Sequence, residues 1–302
     1  MVSLIFLIAC TNASSKGTTQ SVYTGSQGVM INFVANFPPA VLYASTGTSI
    51  AGQPPVIIEV KNKGAYDVSD GTLFLSGIDY NIVQMPALYN GLVAQSLGFL
   101  RGKTTGSPEG DLNQLQFSIN QVNLPAGTDT FPVNMLATAC YRYRTVGAFA
   151  TCVDGNPYST AQKACNSFGS VSTGGSQGAP VAVASVQQEP SQGRSIFKIT
   201  LQNVGGGKVI PNPSAEGCLN PKYVEQDIIM VQSIKLAGID YHLTSCSNIQ
   251  PTGAVKLINN QATIVCKIEP IQGEARTVPL EITLDYAYSN SVQKSMQIKR
   301  II

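Results

Sequence analysis

Cysteine, aspartate and tyrosine are the residues of this chain whose types and spacing suit chemistry, and histidine scarcely enters. There are seven cysteines and one histidine, His242, in 302 residues. A serine or cysteine nucleophile needs a base within hydrogen-bond reach, so any Ser-His-Asp or Cys-His arrangement depends on His242 alone. That residue sits beside Tyr241 in an alternating, strand-like run, where a lone histidine reads as structural. Paired carboxylates suit glycoside hydrolysis, but Asp67 and Asp70 flank an Asp70-Gly71 turn. Asp79 and Asp240 occupy matched positions in a repeated motif, where an aspartate caps a turn by binding backbone amides. Asp154-Gly155-Asn156 has the flavour of a calcium loop with a single acidic ligand, fewer than calcium requires. Gly205-Gly206-Gly207-Lys208 lacks the G-x-x-x-x-G-K-[ST] spacing of a phosphate loop and reads as a turn. The expectation is a protein that is not an enzyme, with no cofactor and no metal; turnover lost on replacing Asp79 or Asp240 would reverse it.

The cysteines point to bridges. Setting Cys10 aside, Cys140, Cys152 and Cys165 form one group and Cys218, Cys246 and Cys266 another. No two lie two to four residues apart, as structural zinc sites prefer, so disulfides in an oxidising compartment are expected. With three cysteines per group, full oxidation within the chain requires an odd number of bridges between the groups. Six cysteines allow about fifteen connectivities. Cys246 with Cys266 is favoured, because Gln250-Pro251-Thr252-Gly253 and Asn259-Asn260 fold that stretch back on itself. Cys152 with Cys165 and Cys140 with Cys218 is one way of placing the rest, and sequence does not fix it.

Three matched segments supply the elements that position these residues. Val56 to Gly64 and Phe197 to Gly205 are alternating strands closed by the same Asn-x-Gly turn. Leu75-Ser76-Gly77-Ile78-Asp79-Tyr80 matches Leu236-Ala237-Gly238-Ile239-Asp240-Tyr241. Val133, Met135, Ala137, Ala139, Tyr141 and Tyr143 alternate with mostly polar residues just as Val278, Leu280, Ile282, Leu284, Tyr286 and Tyr288 do. Both of these last strands are expected to pass a short polar turn into another β-prone run, at 149–153 and 296–302. Period-two alternation indicates strands with one buried face, and the phase of the tyrosines places them inward. The fold expected is all-β, two tandem immunoglobulin-like antiparallel β-sandwiches related by internal duplication, at 28–154 and 180–302, with a cysteine-containing junction at 155–179. Helix is expected only at 87–100, after Pro86, and for one turn at 159–165. Insertions at 89–110 and 212–226 distinguish the copies; such loops are where specialised contacts sit, and drift at tolerant loop tips is the equal alternative.

Residues 4–9 form a short apolar run ending at Cys10, and Leu7-Ile8-Ala9-Cys10 resembles a lipobox, with Ser/Thr/Gly-rich residues 11–27 as a tether. The rival reading keeps residues 2–8 as a strand inserted into a neighbouring subunit. Charged residues make up 12% of the chain, the net charge is +2 and the basic residues are scattered. That excludes a nucleic-acid stripe or polybasic membrane patch.

The strand, Asn-x-Gly turn and Tyr-x-Tyr terminal strand resemble CARDB-like and related immunoglobulin-like modules of archaeal and bacterial surface proteins. The tract from Cys140-Tyr141-Arg142-Tyr143 to Gln177-Gly178-Ala179-Pro180-Val181 is similar to two-domain archaeal surface proteins. The resemblance spans about residues 28–302 and implies an extracytoplasmic adhesion or assembly module without a family active site. The resulting expectation is a cell-surface structural or adhesion protein with protein partners, held to the membrane by lipid at Cys10. The alternative is a filament or sheath subunit joined by N-terminal strand addition.

Overall fold

The computed structural model describes residues 22, 24–44, 53–86 and 92–301. Cys10, the apolar run before it and most of the tether lie outside the described residues.

Among the described residues the chain is almost entirely β-structure in mostly antiparallel sheets, with one short α-helix, Ala215–Leu219. Two strands organise the rest: a first long strand, Thr130–Val153, and a second, Arg276–Arg300. They pair antiparallel without a register break from Thr130↔Lys299 to Val153↔Arg276. At about 3.4 Å per residue this ladder runs roughly 80 Å. The polar turns expected after Tyr143 and Tyr288 are therefore absent. Thr145, Val146 and Gly147 pair with Leu284, Thr283 and Ile282 across an unbroken ladder, and Ser289, Asn290 and Ser291 pair with Cys140, Ala139 and Thr138. Each strand satisfies the other's backbone, which removes the reason for a polar stretch to turn.

Toward one end, the first long strand pairs with Gly71–Ser76, which pairs with Ala94–Ser96; the second pairs in parallel with Val41–Ala44. Toward the other end, the second long strand pairs with Ile228–Leu236, which also carries Ile239–Asp240 and Ala254–Lys256. A three-stranded sheet, Val29–Phe33, Val56–Asn62 and Leu112–Phe117, belongs to the first half. A five-stranded sheet centred on Val181–Ser191, Arg194–Asn203 and Gln261–Ile268 belongs to the second. Alternate residues of these sheets, including Val56, Ile58 and Val60, then Phe197, Ile199 and Leu201, are buried in one contiguous core with Met135, Tyr141, Ile282 and Tyr288 from the long strands. The cut at residue 154 parts the chain, but the long ladder crosses it.

Neither helix expectation finds a helix among the described residues, and residues 87–91 of the first lie outside them. Residues 94–96 form a strand on Gly71–Ser76, and Leu97 N–H and Leu75 N–H bond Gly71 and Val93 carbonyls, so an available sheet edge outweighs helix propensity there. Residues 159–165 are irregular, drawn in by the Cys152–Cys165 bridge. The second insertion does form helix: Ser214 caps Ala215–Leu219 by accepting the Gly217 N–H at 3.1 Å.

Candidate functional site

At the middle of the ladder Tyr141 lies opposite Tyr288 and Tyr143 opposite Tyr286. All four are buried, with ring centroids about 6 Å apart in tilted or edge-to-face contacts. Tyr143 donates to Asn62 Oδ1 at 3.3 Å and accepts the Tyr66 N–H at 3.2 Å. Tyr288 repeats this more tightly, donating to Asn203 Oδ1 and accepting the Gly207 N–H, both at 2.8 Å. Asn62 and Asn203 also accept the N–H of Gly64 and Gly205. Thus the two Asn-x-Gly turns of the sequence are each fastened by the corresponding tyrosine. Gly64 is required there, because a Cβ would lie 1.9 Å from the Tyr143 hydroxyl and 2.6 Å from two backbone carbonyls. Tyr141 and Tyr286 accept the Val29 and Val181 N–H groups.

Burial holds all four phenols above their ordinary range, Tyr288 at about 12. They are neutral hydrogen-bonding posts and have no capacity as bases near neutral pH.

The opposite face of the ladder carries Arg142 and Arg144 beside a cavity of about 530 Å³. Arg144 grips Asp285 through Nε and Nη2 at 2.5 and 2.6 Å, and its guanidinium lies 5.4 Å from the Tyr66 ring centroid. Arg142 pairs with Asp70 at 3.0 Å, and Asp67 accepts the Gly102 N–H at 2.7 Å. Both guanidiniums are thus answered by carboxylates. The cavity walls offer hydrogen bonds and an aromatic face. A second trough, of about 590 Å³, begins across the Tyr66–Arg144 contact and runs along Val146, Ala148 and Phe149.

The structure forms three disulfides: Cys140–Cys218, Cys152–Cys165 and Cys246–Cys266. The first draws the Ala215–Leu219 helix onto the ladder, where Cys140 and Cys218 pack in a small cluster with Phe74, Ala94, Ile210 and Ala287. The last joins paired residues of adjacent strands.

His242 is exposed and lies outside the strands, just before the turn Leu243–Ser245. The strand expected around it ends at Asp240, because residues 243–245 turn. Asp79 accepts the Asn81 N–H at 2.9 Å, closing a local turn. Asp240 is exposed on a strand at the opposite side of the large sheet from Asp79, so the two do not converge. At Asp154 an internal ammonium stands where a calcium ion would: Lys163 Nζ lies 2.6 Å from the carboxylate and also donates to the Asn156 and Pro157 carbonyls. That hydrogen bond holds the Asp154 pKa below its usual range. Gly205 to Lys208 is the turn held by Tyr288.

The Arg144–Asp285–Tyr66 group escapes the sequence reading. Arg144 and Asp285 directly follow and precede tyrosines of the two matched strands, but they become opposed only if those strands pair with each other. The matched phase of the two strands was the available signal.

No family model matches the chain, and no curated protein matches it. Among solved structures it is similar to red sea bream transglutaminase at 9% identity, over 92% of this chain and 32% of that one, with a TM-score of 0.19. It thus spans about a third of that protein's length. It is also similar to the E. coli chaperone DraB at 10% identity, over 85% of this chain and 87% of that one, with a TM-score of 0.17. At these scores neither likeness carries a fold or an activity to this chain.

Proposed function

We propose that this chain is a non-catalytic, extracytoplasmic structural or adhesion protein at the cell surface, made of two immunoglobulin-like sandwiches related by duplication. The observation that carries the reading is the uninterrupted ladder from Thr130↔Lys299 to Val153↔Arg276, which joins both halves into one stiff body suited to holding contacts apart. The duplicated Tyr–Asn-x-Gly fastenings support common descent of the halves. The three disulfides suit an oxidising compartment. Cys10 remains the proposed lipid anchor, and protein surfaces the proposed partners. Fractionation of the source cells, with protease applied to intact cells, tests this. Envelope-bound, protease-accessible protein with all six remaining cysteines oxidised is expected; soluble intracellular protein with free thiols would sink the proposal.

A second reading, a subunit of an extracellular filament or sheath assembled by strand addition, is favoured by one feature. Residues 144–150 of the first long strand have no described strand on the side away from the second. Light scattering and electron microscopy of the purified full chain decide between the readings: particles that stay at the 31.9 kDa chain mass eliminate the filament.

A further inference from the structure

The open edge differs from its counterpart in the other half in a way that bears on assembly. Along the first long strand, Arg142 N–H bonds the Asp70 carbonyl and the Cys152 carbonyl accepts from Gln188 Nε2. Both groups point away from the second long strand. In an antiparallel ladder this orientation recurs every second residue, so Arg144, Val146, Ala148 and Ala150 also turn their N–H and C=O outward. No described residue bonds them. Their side chains do not fill the space, since the trough of about 590 Å³ lies alongside, bounded across the gap by Thr173 and Gly174. Its floor is apolar: the Phe149 ring lies against Gly147, where a Cβ would meet the ring at 2.4 Å.

In the other half the residue matching Phe149 in the repeat is Lys294. Its ammonium is turned inward, 3.4 Å from the Val34 carbonyl and 5.8 Å from the Phe33 ring centroid. Val41–Ala44 pairs with residues 297–300, beyond the counterpart edge, so the inward lysine is what guards that edge. An inward lysine is a usual guard against edge-to-edge pairing. The edge at 144–150 carries no such lysine.

Resting on the assembly reading, we infer that residues 144–150 are the acceptor edge for the apolar N-terminal segment, residues 2–8, of a second copy of this chain. The segment, Val-Ser-Leu-Ile-Phe-Leu-Ile, equals the open edge in length and is rich in strand formers. The chain leaves the described structure beside the trough: the Val22 carbonyl abuts Gly178, and Gly178 accepts the N–H of Ala65, a residue of the trough wall. The chain between that segment and Val22, residues 9–21, reaches on the order of 45 Å when extended, enough to span to a neighbouring molecule. Main-chain hydrogen bonds provide the attachment, and alternate apolar residues meet Val146 and Ala148, which share one face of the strand.

The test compares the full chain with Val146→Pro and with Ile5→Asp/Leu7→Asp. Proline at 146 removes an outward N–H and leaves the bonds to the second long strand in place. The aspartates sit outside the described fold, so their effect cannot come from a damaged core. Particle mass by light scattering and amide exchange at Ala148 are read at two protein concentrations. The expected result is wild-type assembly with exchange at Ala148 slowed at least tenfold, and loss of both in either variant. Assembly that survives Val146→Pro refutes the edge while leaving the assembly reading intact. A wild-type chain that never assembles removes that reading and the inference with it. Slow exchange in a particle of monomer mass, independent of concentration, overturns the inference by showing that the segment binds its own chain.

Discussion

Removing the Cys140–Cys218 bridge is expected to destabilise the protein more than removing either other disulfide, and the difference follows from the chain each one closes. The bridges span 78, 13 and 20 residues for Cys140–Cys218, Cys152–Cys165 and Cys246–Cys266. Loop-closure entropy in the unfolded chain then contributes about 4.5, 2.9 and 3.3 kcal/mol respectively at 25 °C. Because the Cys152–Cys165 loop is nested within the largest, keeping it shortens the effective large loop and lowers that contribution to about 4.3 kcal/mol. Packing acts in the same direction, since Cys140 and Cys218 are buried among Phe74, Ile210 and Ala287. Replacing each pair by alanine and following urea unfolding by circular dichroism under non-reducing conditions gives the order. The Cys140→Ala/Cys218→Ala protein should lose at least about 1 kcal/mol more than either other variant. Equal losses, or a larger loss for Cys246→Ala/Cys266→Ala, would refute the reasoning, because constraint of the unfolded chain would not then be what the largest bridge supplies.

Tyr288→Phe strands the Gly207 N–H and an Asn203 acceptor, and should cost about 2–3 kcal/mol by urea titration. Tyr143→Phe, whose bonds are longer, should cost less. Lys163→Met leaves the buried Asp154 carboxylate without its cation and should cost about 3 kcal/mol at neutral pH. Asp154 has a depressed folded pKa, so its contribution is present above the unfolded carboxylate pKa and is lost as pH falls through the folded one; the variant's deficit should therefore shrink in acid unfolding series. The buried tyrosines have raised folded pKa values, so their contribution is full below pH 10 and falls as pH climbs from about 10 toward 12 and beyond. Absorbance titration should show these phenols ionising only with unfolding; four early, reversible titrations would contradict their burial.

Alternation alone made the strands legible, because one buried face imposes a period of two wherever the partner strand lies. The inward phase of Tyr141, Tyr143, Tyr286 and Tyr288 was readable for the same reason, and so was the local role of Asp79, which involves residues two apart. Partner choice was not readable. Residues 144–148 and 289–295 look like turns in isolation, since the serine, asparagine and glycine in them carry little strand preference. They are strands because each finds a partner in the opposite long strand, 144–148 against 281–285 and 289–295 against 134–140, at separations of roughly 130–160 residues that no local pattern encodes. Residues 94–96 were misread for a related reason: an edge at Gly71–Ser76 recruits them, and the edge is invisible in their own sequence. The Arg144–Asp285 pair depends on the same crossing.

That crossing also bears on where the two halves match and where they differ. Each long strand begins against its own half and ends against the other, so neither half holds a complete large sheet alone. A substitution on one long strand is felt in both halves, and the shared middle is therefore conservative in kind: four tyrosines and two Asn-x-Gly turns, fastened alike. The outer ends and flanks are free of that coupling. There, one half carries an inward Lys294 and a Val41–Ala44 strand paired with residues 297–300, and the other carries Phe149 and an uncovered edge. One flank of the ladder is sealed by the helix that Cys218 anchors, while the opposing trough past Tyr66 stays open. On the proposed assembly, the inward Lys294 guards one edge and the unguarded edge at 144–150 is the single place where a strand adds.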